Sequence, residues 1–149
     1  MRLSTKGRYG LIAMVDLAVH ASEGCVSLSS IAERQHISEH YLEQLFSLLR
    51  KAGLVKSTRG VNGGYLLAYE PNQITAGDIL RALEGSLAPV DCIHENTHER
   101  CEMNEACVTR TVWKQVYDCI NEVIESVTLK DLADDYVNMK NNDFLMYYI

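Results

Sequence analysis

The sequence predicts a mainly α fold, a winged helix-turn-helix followed by one long helix. Three observations carry that reading. Two short apolar-periodic segments, each behind a serine, are followed at once by two extended segments around a glycine-rich tip. A later segment, residues 108–127, repeats apolar residues every three or four positions. No run of about 18 apolar residues occurs in the 149-residue chain, so no membrane-crossing helix is expected.

Ser4 or Thr5 is placed to cap a first helix running to about Ala21. Leu11, Ile12, Met14, Val15, Leu17, Ala18 and Val19 cover most of its circumference, which marks a central core helix. Gly24 breaks it, and Cys25 and Val26 read as a short extended piece. Residues 27–35 read as a short helix with a serine cap, Ser30 and Glu33 having the spacing of a capping box. His36 and Ile37 make the turn. Ser38 caps a second helix over residues 39–51, whose buried stripe is Tyr41, Leu42, Leu45, Phe46 and Leu49. Ala52 and Gly53 end it. Residues 54–58 and 65–68 read as strands of a hairpin with its tip at 59–64. Thr75 caps a helix over 76–83, ended by Gly85. After the long helix, Thr128 caps a short last helix over 129–136. The chain thus divides into a winged helix-turn-helix region at 1–85, a cysteine-containing loop at 86–107, the long and final helices at 108–136, and a tail at 137–149.

The net charge of −6 hides an asymmetry. Residues 1–67 hold eight basic and five acidic side chains, +3, whereas residues 68–149 hold six and fifteen, −9. A basic half suits a nucleic-acid surface, and an acidic half suits regulation or assembly. An odd number of cysteines, five, argues against a disulfide framework. The basic N-terminus lacks a small-residue cleavage site, and Asp16 interrupts the apolar stretch behind it. No signal peptide is therefore expected, and the default location is the cytoplasm. No nucleophile–base set, phosphate loop or carboxylate pair is apparent, so an enzyme is not expected.

The second helix of the pair carries Ser38, His40, Tyr41, Glu43 and Gln44 at its N-terminal end, where a recognition helix meets base edges. Gln44 can bond adenine bidentately, and Glu43 can accept from cytosine N4. Arg50 and Lys51 at the far end can reach phosphates. Arg59 at the hairpin tip can enter a narrow minor groove. Gly60, Gly63 and Gly64 let the backbone approach phosphate closely. Arg2 and Lys6 of the basic N-terminus and Asn62 of the tip complete the candidate set. The plainer reading is a solvated polar face; the hairpin behind the helices favours a reader of duplex DNA.

Cys92, Cys101 and Cys107 are separated by eight and five residues. That spacing lacks both the CxxC knuckle of structural zinc sites and the tight run of bacterial ferredoxins. Three thiolates from one loop can still converge on an iron–sulfur cluster or on zinc, with His94, Glu95, His98, Glu99, Glu102 and Glu105 near enough to supply a fourth ligand. Cys107 sits near the start of the long helix, where the dipole favours a thiolate. Cys25 and Cys119 read as packing residues. On the long helix Val112, Val116, Ile120, Val123 and Val127 form an apolar stripe, with Trp113, Tyr117 and Ile124 beside it. Intrachain packing would absorb it; a two-fold helix pair between subunits would also set the spacing of DNA half-sites.

The opening run Met1-Arg2-Leu3-Ser4-Thr5-Lys6-Gly7-Arg8-Tyr9-Gly10, the segment 38–54 containing Tyr41-Leu42-Glu43-Gln44-Leu45-Phe46, and the run from Arg59-Gly60-Val61-Asn62-Gly63-Gly64 to Leu67 resemble the Rrf2 family of bacterial transcription regulators. The resemblance extends to about Tyr136 and is strongest to the branch that senses iron–sulfur clusters. It implies a homodimer on double-stranded promoter DNA, joined by a long dimerisation helix. It also implies a cluster on Cys92, Cys101 and Cys107, of the 2Fe–2S type ahead of the 4Fe–4S type, and control of promoters such as those of cluster biogenesis. Some relatives have a histidine ligand three residues after the third cysteine, where this chain has Arg110. Another branch uses an acidic residue near the N-terminus, where this chain has Arg8. A regulator of cysteine metabolism, which acts with a protein partner and lacks the cysteine trio, is the second reading. A metal-binding scaffold for protein contacts is the third.

Overall fold

The computed structural model describes residues 3–93 and 106–146. Helix α1, Thr5–Val19, starts where the Ser4 hydroxyl accepts the Lys6 N–H at 3.1 Å, satisfying one of the orphan donors of the first turn. Ala13, Met14 and Leu17 are fully buried, so α1 is the core helix the sequence predicts. It ends at Val19, and a 3-10 turn, Ala21–Glu23, leads to Gly24 at φ +95°.

Helix α2, Leu28–Gln35, has the expected serine cap but not the expected capping box. Ser27 is the cap, its hydroxyl accepting the Ser30 N–H at 3.2 Å. The Ser30 hydroxyl donates to the Ser27 carbonyl instead, at 2.7 Å, so it is already inside the first turn and no box with Glu33 forms. His36, at φ +54°, makes the tight turn. Helix α3, Glu39–Lys51, begins at Ser38, which accepts the Tyr41 N–H, and buries Leu42, Leu45, Phe46 and Leu49.

Strands β1, Val55–Thr58, and β2, Gly64–Leu67, pair antiparallel with Val55 opposite Leu67 and Thr58 opposite Gly64. Val26 exchanges two backbone hydrogen bonds with Tyr65, at 2.8 and 3.0 Å, extending the hairpin by one bridge. The Tyr65 ring meets Phe46 edge-on at 4.8 Å, which seats the hairpin on α3.

Helix α4, Ala76–Glu84, carries a full capping box between Thr75 and Asp78. Helix α5 is Arg110–Ser126, and α6 is Leu129–Met146. Two backbone bonds, Ala76 N–H to Val127 O and Leu129 N–H to Ile74 O, stitch the α5–α6 junction to the start of α4. The final helix runs ten residues past the expected end at Tyr136, so the segment 137–146 is helical rather than an appended tail. The chain has no glycine or proline after Pro89, so nothing in the sequence stops that helix. It packs along α1, with Lys140 Nζ 4.9 Å above the Tyr136 ring.

Asp16 is fully buried in the middle of this core. Its carboxylate accepts from Arg34 Nε at 3.0 and 3.2 Å, from Arg34 Nη2 at 2.6 Å and from Gln35 Nε2 at 2.8 Å. The His20 ring Nδ1 lies 2.8 Å from the Asp16 carbonyl oxygen. A buried carboxylate needs such a full set of donors. Here the set ties α2 to α1 and so fixes the helix pair that presents α3.

Candidate DNA interface and cysteine segment

Helix α3 projects its N-terminal half outward. His40, Glu43 and Gln44 are exposed and connected: His40 Nδ1 lies 3.5 Å from Glu43 Oε2, and His40 Nε2 lies 3.3 Å from Gln44 Nε2. One tautomer satisfies both contacts, with Nδ1–H donating towards Glu43 and Nε2 accepting from the Gln44 amide. Three groups able to read base edges thus stand in one row.

The remaining predicted residues divide by what holds them. Ser38 is engaged as the cap of α3. Tyr41 is half-buried, meets Tyr9 edge-on at 6.0 Å, and donates its hydroxyl to Thr5 Oγ1 at 3.2 Å. It therefore pins the start of α3 to the start of α1. Lys6 lines the groove between those two helix starts together with Tyr41, Glu43 and Gln44. Arg50 Nη1 donates to Ser57 Oγ at 3.2 Å, joining the end of α3 to β1. Lys51, Arg59 and Asn62 are exposed. Arg34, counted among the basic residues of the sequence, is turned inward onto Asp16. Arg2 lies outside the described residues.

The tip glycines have reasons inside the hairpin itself. Gly60 holds φ +114°, a conformation that side chains oppose. A Cβ on Gly63 would collide with the Thr58 carbonyl oxygen, and one on Gly64 with the Val26 backbone. The close approach those two permit is therefore made to the chain's own backbone.

Cys92 lies in a 3-10 turn, Asp91–Ile93, that packs against α5. Cys107 stands at the entry to the same helix, its Sγ 3.2 Å from Thr109 Oγ1. The Thr109 hydroxyl, the Arg110 and Thr109 N–H groups and the Arg110 charge hold its thiol below the usual cysteine range. Arg110, which cannot ligate a metal, thus favours the thiolate form of its neighbour. Cys101 lies outside the described residues, as do His94, Glu95, His98, Glu99, Glu102 and Glu105. Among the described residues no three metal-binding side chains converge. Cys25 is half-buried in a groove with Ser27, Arg34 and Asn62. Cys119, expected to be a packing residue, is exposed on α5.

No residue of α5 is buried. One side is held by α4: Arg81 Nη2 reaches Asn121 at 3.0 Å and Glu125 at 2.5 Å, and Ile124 lies over Gly77. Ile120 and Val127, from the predicted stripe, are partly buried. Val112, Val116 and Val123 are exposed, with Trp113 beside them. The stripe therefore splits into a side turned to the chain and a side left open.

Two residues escaped sequence reasoning. Asp16 is one. Glu84, at the end of α4, is the other: its Oε1 accepts the Ser4 N–H at 3.0 Å, the Ser4 hydroxyl at 2.7 Å and the Gly7 N–H at 2.9 Å. Burial pushes its carboxyl up, but the hydrogen bonds from Ser4 and Gly7 and the Lys6 charge outweigh burial and hold it below the usual carboxylate range. The small residues Gly7 and Gly10, three apart on α1, were the available signal for a close helix contact.

Three relatives place the chain. The family model Rrf2, described as an iron-dependent transcriptional regulator, matches residues 3–135. The HTH-type transcriptional regulator CymR of Bacillus subtilis is 48% identical over 99% of both chains. The solved structure of CymR, the global cysteine regulator of B. subtilis, superposes with a TM-score of 0.73 at 51% identity, over 90% of this chain and 97% of that one. IscR of Pectobacterium atrosepticum is 44% identical over 91% of this chain and 80% of its own. The structure of T. potens IscR gives a TM-score of 0.72 at 52% identity, covering 91% of this chain and 88% of that one. No helix among the described residues is long and apolar enough to cross a membrane. With its winged helix-turn-helix, its exposed α3 face and this similarity along nearly its whole length, the chain belongs to the Rrf2 family of DNA-binding transcriptional regulators.

Proposed function

We propose that this regulator reads double-stranded promoter DNA as a homodimer, through α3 and the β1–β2 wing, and that an iron–sulfur cluster on Cys92, Cys101 and Cys107 sets its output. Promoters of cluster biogenesis are the proposed targets. The observation that carries the reading is the placement of Cys107. Its thiol, biased towards thiolate, opens the helix whose open apolar side, Val112, Val116 and Val123, is the proposed dimer face. The turn that holds Cys92 packs against the same helix. The donor chemistry fits: soft thiolates suit iron, and both described cysteines are partly exposed. A bound cluster supplies a redox-active group sensitive to iron supply and oxidants. The chain's own part is to hold thiolates beside α5 and to transmit their state to the dimer geometry.

Anaerobic purification with absorption spectroscopy and iron and sulfide analysis tests the reading. Substituting Ala for Cys92, Cys101 or Cys107 should abolish cluster binding, whereas Cys25→Ala and Cys119→Ala should leave it. Full iron retention in the Cys101→Ala variant would remove the proposed ligand set.

A second reading has its own support. The match to CymR spans 99% of both chains, against 80% of the IscR chain. On that reading the protein answers to cysteine status without a cluster, and iron is absent from protein purified under anaerobic conditions.

A further inference from the structure

Glu84 closes α4 and turns its carboxylate towards α1. All three of its short contacts go to the first turn of α1, about 80 residues away in sequence. One carboxylate oxygen collects two backbone N–H groups and one hydroxyl, so it serves as an external cap for α1 beside the local Ser4 cap. The approach is close, and the glycines of α1 leave room for it. A Cβ on Gly7 would sit 2.7 Å from Glu84 Oε1, and one on Gly10 would collide with the Leu83 side chain.

The other side of that same turn faces α3. Thr5 receives the Tyr41 hydroxyl, Tyr9 packs on the Tyr41 ring, and Lys6 stands in the groove beside Glu43 and Gln44. Rotating or fraying the first turn would move the Lys6 ammonium relative to the α3 row and would loosen Tyr41. The partly buried Glu84 carboxylate also places negative charge at the positive end of the α1 dipole, which favours this first turn.

We infer that Glu84 is a positioning residue for DNA binding, which sets the first turn of α1 so that Lys6 contacts a phosphate next to the bases read by α3. The inference rests on the proposed DNA-facing role of α3 and the wing.

The experiment is a double-mutant cycle on this protein, binding promoter duplex over a range of salt concentrations. Glu84→Ala should weaken binding severalfold and lower the salt slope by about one unit, the signature of a lost phosphate contact. Lys6→Ala should do the same, and the double variant should be no worse than either alone, because both remove one contact. Glu84→Gln keeps an oxygen acceptor and should recover most of the affinity. Preferences among base pairs should be unchanged throughout. A residue needed only for stability would lower the melting temperature, leave the salt slope at its wild-type value well below melting, and add to the Lys6 effect; that outcome overturns the inference. Arg59→Ala is the control for the DNA face. If it weakens binding while Glu84→Ala does not change the slope, the positioning role is wrong and the interface stands. If neither variant alters binding, the interface itself is misplaced, and the inference falls with it.

Discussion

The two ends of this chain are built to different degrees of completion. From α1 to α4, each helix buries a face, and the one fully buried charge there, Asp16, has four hydrogen bonds from two side chains. Helix α5 is comparable in length to α1, yet none of its residues is buried, and the valines of its outer side face solvent. A fold that satisfies one region within a single chain and leaves an apolar helix open in the other is divided by role. The first region closes its core within the chain, with Leu129 of α6 included; the open side of α5 is proposed to be covered by a second copy.

The largest predicted effect breaks that contrast on the open side. Val116→Asp combined with Val123→Asp should dissociate the proposed dimer, costing roughly 3–6 kcal/mol: full burial of a valine contributes about 1.5–3 kcal/mol, a two-fold interface counts each twice, and about half of each side chain is already covered within the chain. Sedimentation should then show monomer at micromolar concentration, with the far-ultraviolet dichroism of the reader intact. A wild-type protein that is already monomeric there would dispose of the proposed dimer face.

The next effect probes the closed side. Asp16→Ala leaves Arg34 and Gln35 without their acceptor and should cost about 2–3 kcal/mol in denaturant unfolding. Arg34 can recover some solvent contact, which keeps the cost below that of a sealed ion pair. An unchanged unfolding midpoint would mean that the α1–α2 lock is not what holds α3 in place.

A finer test separates positions within the reader. Gln44→Ala should lose about 1–3 kcal/mol at particular base pairs only. Arg59→Ala should weaken many sequences alike and flatten the salt dependence by about one unit. Glu43→Ala should relax specificity more than affinity, because a carboxylate beside DNA repels phosphate and acts chiefly as a filter. If all three variants weaken every sequence equally, α3 does not read bases.

Local signals made most of the reader legible in the sequence. Serine and threonine caps at 4, 38 and 75 fall where expected, because capping depends on residues within one turn. The α3 stripe and the hairpin follow from short-range periodicity and turn chemistry. What escaped is long-range or lacks pattern. Asp16 looked like an interruption of an apolar run, because its partners come from another helix 18 and 19 residues on. Glu84 gave no sign of its contact with Ser4 and Gly7, which lie across the sequence. The continuation of α6 was hidden because its polar face has no strong periodicity, although no breaker follows it. The apolar repeat of α5 was visible, but periodicity does not tell which valines turn inward. Only the packing on α4 separates Ile120 and Val127 from Val112, Val116 and Val123.

Whether the cysteine segment and α5 govern DNA binding is decided by affinities for a panel of promoter duplexes at one fixed salt concentration, comparing anaerobically purified protein with the same protein stripped of iron and with the Cys92→Ala variant. Iron and sulfide are expected in the purified protein, with a change in affinity at some promoters on stripping that Cys92→Ala reproduces. Equal affinities of all three forms for every duplex, or protein without iron that binds its promoters fully, would contradict control by the cysteine segment.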